Sequence, residues 1–270
     1  MTYQSPEILR GVRALIIDMD GVLWRGNTAV PGLIEFFQLL RDRSISFRLA
    51  TNNSSKTPEQ YVDKLASMGV HVPSEVILTS AIATARHIAT VAPGAVVYAI
   101  GEDGLLQALL DHGLRLSDGN QADFVVGGWD HGITFQKLSQ AALLIRAGAK
   151  FIGTNPDRTW PSERGLLPGT GATLAYLQAA TDVAPLIIGK PERTMFDGTV
   201  ADMGVGAAQT AMLGDRLETD IAGAQHAGLR TILVLSGVSD EASLAASPVK
   251  PDWVFDSIRE LTYAWRELPD

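Results

Sequence analysis

The stretch that most constrains this 270-residue chain is Leu15-Ile16-Ile17-Asp18-Met19-Asp20-Gly21-Val22-Leu23-Trp24, an apolar run that ends abruptly in two carboxylates and a glycine. Residues 12–17 have the β-branched character and short length of a strand buried on both faces, so Asp18 sits where the chain leaves a sheet. In open α/β sheets ligands bind at that carboxyl end. Side chains two apart on a strand share a face, and a turn at Gly21 would bring Asp20 over Asp18. Carboxylates this close repel unless a cation lies between them or one holds a proton. A divalent cation with hard oxygen ligands suits them. Alone, the same residues would also serve as a loop closing a strand, so the rest of the chain must supply matching parts.

Three later strand ends supply them. A strand over 45–50 ends in Thr51-Asn52-Asn53-Ser54-Ser55, five small polar residues, before a helix with Thr57 as N-cap and Pro58 in its first turn, running to about 68. Backbone N–H groups and hydroxyls of that kind form an anion site. A strand over 186–188 ends in Gly189-Lys190-Pro191, and a strand over 210–213 ends in Gly214-Asp215, with Asp220 in the first turn of a helix over 221–227. Further strands are expected at 231–235 and 253–255, with a closing helix over 257–267.

Between the second and third of these ends the βα rhythm repeats. Strands are expected at 96–100, 124–126 and 151–154, and helices at 81–90 (capped by Ser80), 105–111, 135–146 and 172–180. Such a run builds its own small sheet. The stretches 155–161 and 165–171, dense in turn residues, read as loops. The expected organisation is therefore an α/β chain: a doubly wound, Rossmann-like parallel-sheet core formed by 1–80 and 184–270, with an inserted α/β domain over 81–183.

Charge and composition narrow the partners. Lys and Arg total 22 against 30 Asp and Glu, a formal charge of −8, which argues against nucleic acid or an acidic membrane surface. The chain has no cysteine, hence no disulfide, thiol nucleophile or thiolate metal site. No apolar run is long enough to span a bilayer and residues 1–10 lack a signal-peptide core, so the protein reads as cytoplasmic. The sequence is compatible with a homo-oligomer.

The four polar strand ends combine carboxylates for a cation, hydroxyl and amide donors for an anion, and one ammonium. In a parallel sheet such ends converge on one edge. The set suits phosphoryl transfer, where positioning and charge neutralisation dominate, and an aspartate can act as nucleophile. The ordered set resembles the haloacid dehalogenase superfamily: Asp18-Met19-Asp20-Gly21-Val22 is similar to its first motif, Thr51 to its second, Lys190 to its third and Gly214-Asp215 through Asp220 to its fourth. Thr51-Asn52-Asn53-Ser54, Thr154-Asn155-Pro156-Asp157 and Gly189-Lys190-Pro191-Glu192 resemble the NagD-type, 4-nitrophenyl phosphatase-like subgroup, whose insertion is a C2 cap.

The resemblance implies a Mg²⁺-dependent phosphatase of small-molecule phosphate monoesters. Asp18 would be the nucleophile and Asp20 the general acid and base. Asp18, the Asp20 carbonyl and Asp215 would hold the metal. Thr51, Asn52, Asn53 and Lys190 would hold the phosphoryl group, while Asp220 would support the metal shell or orient Lys190. The loop with Asn155, Asp157, Arg158 and Trp160 is expected to face the core site and read the leaving group, since the phosphoryl group is common to every candidate substrate. A phosphomutase on the same core, and a non-catalytic metabolite-binding regulator, are the rival readings. A binder has no use for a nucleophile with its acid.

Overall fold

The computed structural model describes residues 6–162 and 165–268, and it divides into two compact units. The first comprises residues 1–51, 61–78 and 196–270; the second, 52–60 and 79–195, is inserted into it along the chain.

In chain order the strands are β1 (Ala14–Ile17), β2 (Trp24–Arg25), β3 (Thr28–Ala29), β4 (Ser46–Thr51), β5 (Ile77–Thr79), β6 (Val96–Ile100), β7 (Arg115–Leu116), β8 (Phe124–Gly127), β9 (Lys150–Gly153), β10 (Thr159–Ser162), β11 (Gly165–Pro168), β12 (Leu186–Ile187), β13 (Thr210–Gly214), β14 (Arg230–Val234) and β15 (Trp253–Phe255). The first unit is built on a six-stranded sheet in the order β15-β14-β13-β1-β4-β5. All four residues of β1 are buried, and β1 runs parallel to both β13 and β4, with Ile17 opposite Leu213 and Leu49. The chain moves outward from β1 through β4 to β5 and returns to the other side of β1 at β13. The carboxyl ends of β1 and β13 therefore flank the topological switch point, where open α/β sheets bind ligands. Asp18 and Asp215 come directly off those two strands.

Helices bury the sheet. The helix Leu33–Asp42 turns Leu33, Phe36, Phe37, Leu39 and Leu40 inward, and the closing helix Ile258–Arg266 turns in Ile258, Leu261 and Trp265. Their 3.6-residue spacing makes each amphipathic, and they join Leu15, Ile17, Trp24, Tyr61 and Leu213 in one core.

The second unit carries a five-stranded sheet in the order β12-β9-β8-β6-β7. Its four strand pairs are all parallel. Its own core includes Ile100, Val125, Leu144, Phe151, Leu174 and Leu177. The fold is thus α/β, a doubly wound parallel-sheet core with an inserted α/β cap of the C2 type.

Several local expectations need correction. Residues 155–161 and 165–171 are not simply loops, because β10 and β11 pair antiparallel, with Trp160 opposite Leu167. Both strands of a two-stranded ribbon are edges, so prolines fit without losing an inner ladder bond. Thr79, not Ser80, caps the helix Ser80–Val91 by accepting from the Ile82 N–H at 3.2 Å. Asp220 lies in a π-helical turn, Leu217–Ile221, ahead of the helix Ala222–His226. The hairpin β2–β3, β5, β7 and the helix Glu241–Ala246 lack a sequence expectation because each is too short to show a period.

Candidate active site

Asp18 prolongs the ladder of β1: its N–H donates to the Leu213 carbonyl at 2.8 Å. The chain then reverses. Gly21 has φ of +90°, its N–H donates to the Trp24 carbonyl at 2.7 Å, and the Leu23 N–H donates to the Met19 carbonyl at 2.8 Å. A Cβ at position 21 would fall 2.3 Å from Asp215 Oδ2. Only glycine combines this left-handed turn with so close an approach to a carboxylate. Asp20 is exposed, and its Oδ1 accepts from Trp24 Nε1 at 2.7 Å.

Asp215 is fixed from two directions. Its Oδ2 accepts from the Val238 N–H at 2.7 Å, and a Cβ on Gly237 would sit 1.9 Å from the same oxygen, so the loop after β14 closes on it only because position 237 is glycine. Asp220 Oδ2 accepts from the Asp215 and Arg216 N–H groups at 3.2 and 3.1 Å. It holds the turn that aims Asp215.

Asp18, Asp215 and Asp220 are all buried, and each offers a carboxylate oxygen within 4.8 Å of the others. At an effective dielectric of about 20, two unit charges about 5 Å apart repel by roughly 3 kcal/mol, and three pairs multiply that cost. The donors are all hard oxygens. This chemistry fits a divalent metal ion.

Thr51 ends β4 and is buried. Tyr61 sits nearby. Burial pushes its phenol far above the ordinary range; the Asp20 charge adds to this, a hydrogen bond with Thr51 opposes it, and the Asp18 charge adds a smaller push. Tyr61 is therefore a neutral phenol beside the acidic pair.

In the second unit, Asn52 is the hub. Its Oδ1 accepts from the Lys190 N–H at 2.9 Å and its Nδ2 donates to the Lys190 carbonyl at 2.9 Å and to Asp157 Oδ2 at 3.2 Å. Its own carbonyl accepts from Asn155 Nδ2 at 2.7 Å and from Ser80 Oγ at 2.6 Å. A Cβ on Gly189 would meet the Thr154 carbonyl at 2.5 Å and Asn52 Oδ1 at 2.7 Å, so glycine before Lys190 is required by the same clamp. Lys190 is 2% exposed.

Asn53 Oδ1 accepts from the N–H and Oγ of Ser55, both at 2.8 Å, which shapes the loop. Asn155 is buried and also donates to Thr154 and Thr170 Oγ1. Asp157 is half-buried and Arg158 exposed. Trp160 stacks on Trp129 with centroids 4.7 Å apart. The structure thus gathers Asp18, Asp20, Thr51, Asp215 and Asp220 in one unit, and Asn52, Asn155, Asp157 and Lys190 in one network of the other. Sequence reasoning missed Trp24, Tyr61, Ser80 and the 237–238 loop. None of them carried a functional signal in the sequence.

Two family profiles match the chain: the haloacid dehalogenase-like hydrolase profile over residues 15–115, and a second HAD-hydrolase-like profile over 187–261. A 5'-nucleotidase, YutF, of Bacillus subtilis is 40% identical over 252 residues, 93% of this chain and 98% of that protein. The chain belongs to the haloacid dehalogenase-like hydrolases. An acid sugar phosphatase of Staphylococcus saprophyticus is 38% identical across 94% of this chain and 98% of its own length. Among solved structures, a 4-nitrophenylphosphatase from Thermotoga maritima superposes with a TM-score of 0.92 at 36% identity, covering 96% of this chain and 99% of that one. NagD of Escherichia coli K-12 gives 0.86 at 36% identity, covering 92% and 98%. This member is a phosphoric monoester hydrolase of the NagD-type, 4-nitrophenylphosphatase-like subgroup. Among the described residues, no helix is long and apolar enough to cross a membrane.

Proposed function

We propose that the protein hydrolyses small-molecule phosphate monoesters with Mg²⁺, through a phosphoryl group carried on Asp18. The observation that supports this most is the buried trio Asp18, Asp215 and Asp220, with the exposed acid Asp20 two residues beyond the first member. Mg²⁺, when bound by Asp18, the Asp20 carbonyl and Asp215, would neutralise the carboxylates and the phosphate and so permit their approach. Asp18 attacks phosphorus: the Asp18 oxygen–phosphorus bond forms as the ester oxygen leaves, and Asp20 gives that oxygen its proton. Asp20 then takes a proton from water, whose oxygen attacks phosphorus, freeing phosphate and restoring Asp18.

Thr51, Asn53 and Lys190 are assigned to the phosphoryl oxygens, with Asn52 acting both there and through the Lys190 backbone. The functional division follows the motif order, with a catalytic core over 1–80 and 184–270 and a cap over 81–183. The relatives' names put nucleoside monophosphates and sugar phosphates first in a substrate panel, followed by pyridoxal phosphate and phosphoglycolate. The reading places the enzyme in the cytoplasm, where such metabolites are turned over. The test is release of inorganic phosphate from the panel and from nitrophenyl phosphate, with Mg²⁺ and after EDTA. Mg²⁺-dependent release is expected; full activity in metal-free buffer would defeat the proposal.

A further inference from the structure

We infer that Trp24 is a positioning residue for the leaving-group acid, its indole N–H holding Oδ1 of Asp20 so that Oδ2 is the oxygen that carries the transferred proton. This rests on the reading of Asp20 as the acid. The observation behind it is the 2.7 Å bond from Trp24 Nε1 to Asp20 Oδ1.

An indole N–H only donates, and a buried one needs an acceptor. Trp24 is 0% exposed, whereas Asp20 is exposed. A fixed donor thus reaches out of the core to an exposed carboxylate. The ring's own orientation is set several times over. Trp24 is bridged to Asp20 across the Gly21 turn, and the Val30 N–H donates to the Leu23 carbonyl at 2.9 Å, closing the β2–β3 hairpin. Arg25 Nε donates to the Ser236 carbonyl. Tyr61 stacks with the indole at 6.4 Å between centroids, and Lys64 Nζ lies 4.2 Å from the ring centroid.

The consequence is chemical as well as geometric. An oxygen that accepts the indole proton is not the one bearing a proton of its own, so the bond selects the other. Holding the carboxyl in one rotamer lowers the orientational cost of proton transfer. A merely structural bond, satisfying the indole for stability, would show no dependence on the leaving group.

The test is Trp24→Phe, which keeps the ring and removes the N–H, assayed at saturating Mg²⁺ on an alkyl phosphate and on nitrophenyl phosphate. A second variant replaces the indole by benzothiophene, keeping the shape should Trp24→Phe fold poorly. The alkyl phosphate kcat is expected to fall about tenfold, as for loss of one charge-assisted hydrogen bond to the acid, with nitrophenyl phosphate changed less than about twofold, because a good leaving group departs without a proton. KM should hold for both. Equal losses on the two substrates, or none on either in the benzothiophene variant, would overturn the inference. Asp20→Asn separates the two layers of argument. If its loss is selective for the alkyl phosphate while that of Trp24→Phe is even, only the role of Trp24 fails; if its own loss is even, the acid assignment fails and takes this inference with it.

Discussion

The two sheets of this protein share a design and use it differently. Each is mostly parallel, and each reverses strand order once, at β1/β13 in the six-stranded sheet and at β6/β8 in the five-stranded one. At the first reversal the chain places Asp18 and Asp215, both buried and left clear by glycines at 21 and 237. At the second, the crevice is closed by the chain itself. The Gly128 N–H donates to the Ile100 carbonyl, Trp129 N–H donates to Ser54 Oγ, and the Gly104 N–H donates to the Ser55 carbonyl. A Cβ on Gly104 would fall 2.5 Å from the Lys56 carbonyl oxygen. A switch point is thus a place where a ligand fits, and the residues at the strand ends decide whether one does. In one unit the strand ends carry buried carboxylates; in the other they are tied up in hydrogen bonds within the chain.

The sharpest way to break that contrast is at Asp18. Asp18→Asn is nearly isosteric but a poor nucleophile, and turnover is expected to fall below detection while the melting temperature is retained. Normal turnover, measured free of wild-type enzyme, would remove the six-stranded sheet's claim to the chemistry. Asp215→Asn probes the same crevice through the metal: Mg²⁺ affinity, followed by titration calorimetry and by activity, is expected to fall at least about tenfold. Unchanged affinity would mean that the carboxylate cluster serves only to shape the turn.

How far the sequence foretold this contrast follows from physical scale. The helix Phe135–Arg146 and the strands β6 and β15 appear where their patterns put them, because each has length enough, or an apolar run clean enough, to show a period. The charged strand ends Asp18 and Asp215 were legible because an abrupt carboxylate after a buried run has few other uses; Lys190 follows β12, an exposed edge strand, and was legible only as a lysine held between glycine and proline. Trp24 and Tyr61 were not, since a buried aromatic in a sequence looks like core and only coordinates reveal its polar atom. The partners of the Asn52 side chain, the Lys190 backbone and Asp157, lie 138 and 105 residues away, where no local pattern could supply them.

Lys190 gives the second unit a buried charge of its own. Lys190→Ala is expected to lower kcat/KM about 10²-fold or more, roughly 3 kcal/mol, as for loss of one preorganised donor to a developing charge. An unchanged kcat/KM would show that its ammonium serves the fold alone.

The smallest expected effects lie in the segment 155–160, and there the structure divides residues that the sequence treated as one loop. Asn155 is buried and donates to the Asn52 carbonyl and to two threonine hydroxyls; Arg158 is exposed. Removing a buried amide strands its partners at a cost of about 1–3 kcal/mol, so Asn155→Ala is expected to lower the melting temperature by a few degrees. Since it acts on the support of Asn52, it should change kcat/KM for the best natural substrate and for nitrophenyl phosphate in parallel. Arg158 has no comparable role in the fold. If it reads the leaving group, Arg158→Ala should leave the melting temperature unchanged and shift the ratio of the two kcat/KM values about tenfold, roughly 1.4 kcal/mol. Asp157, half-buried and bonded to Asn52, should show a share of both effects. Were Arg158→Ala to leave the ratio unmoved while Asn155→Ala shifted it, selection would belong to the buried network around Asn52, not to the exposed side of the loop.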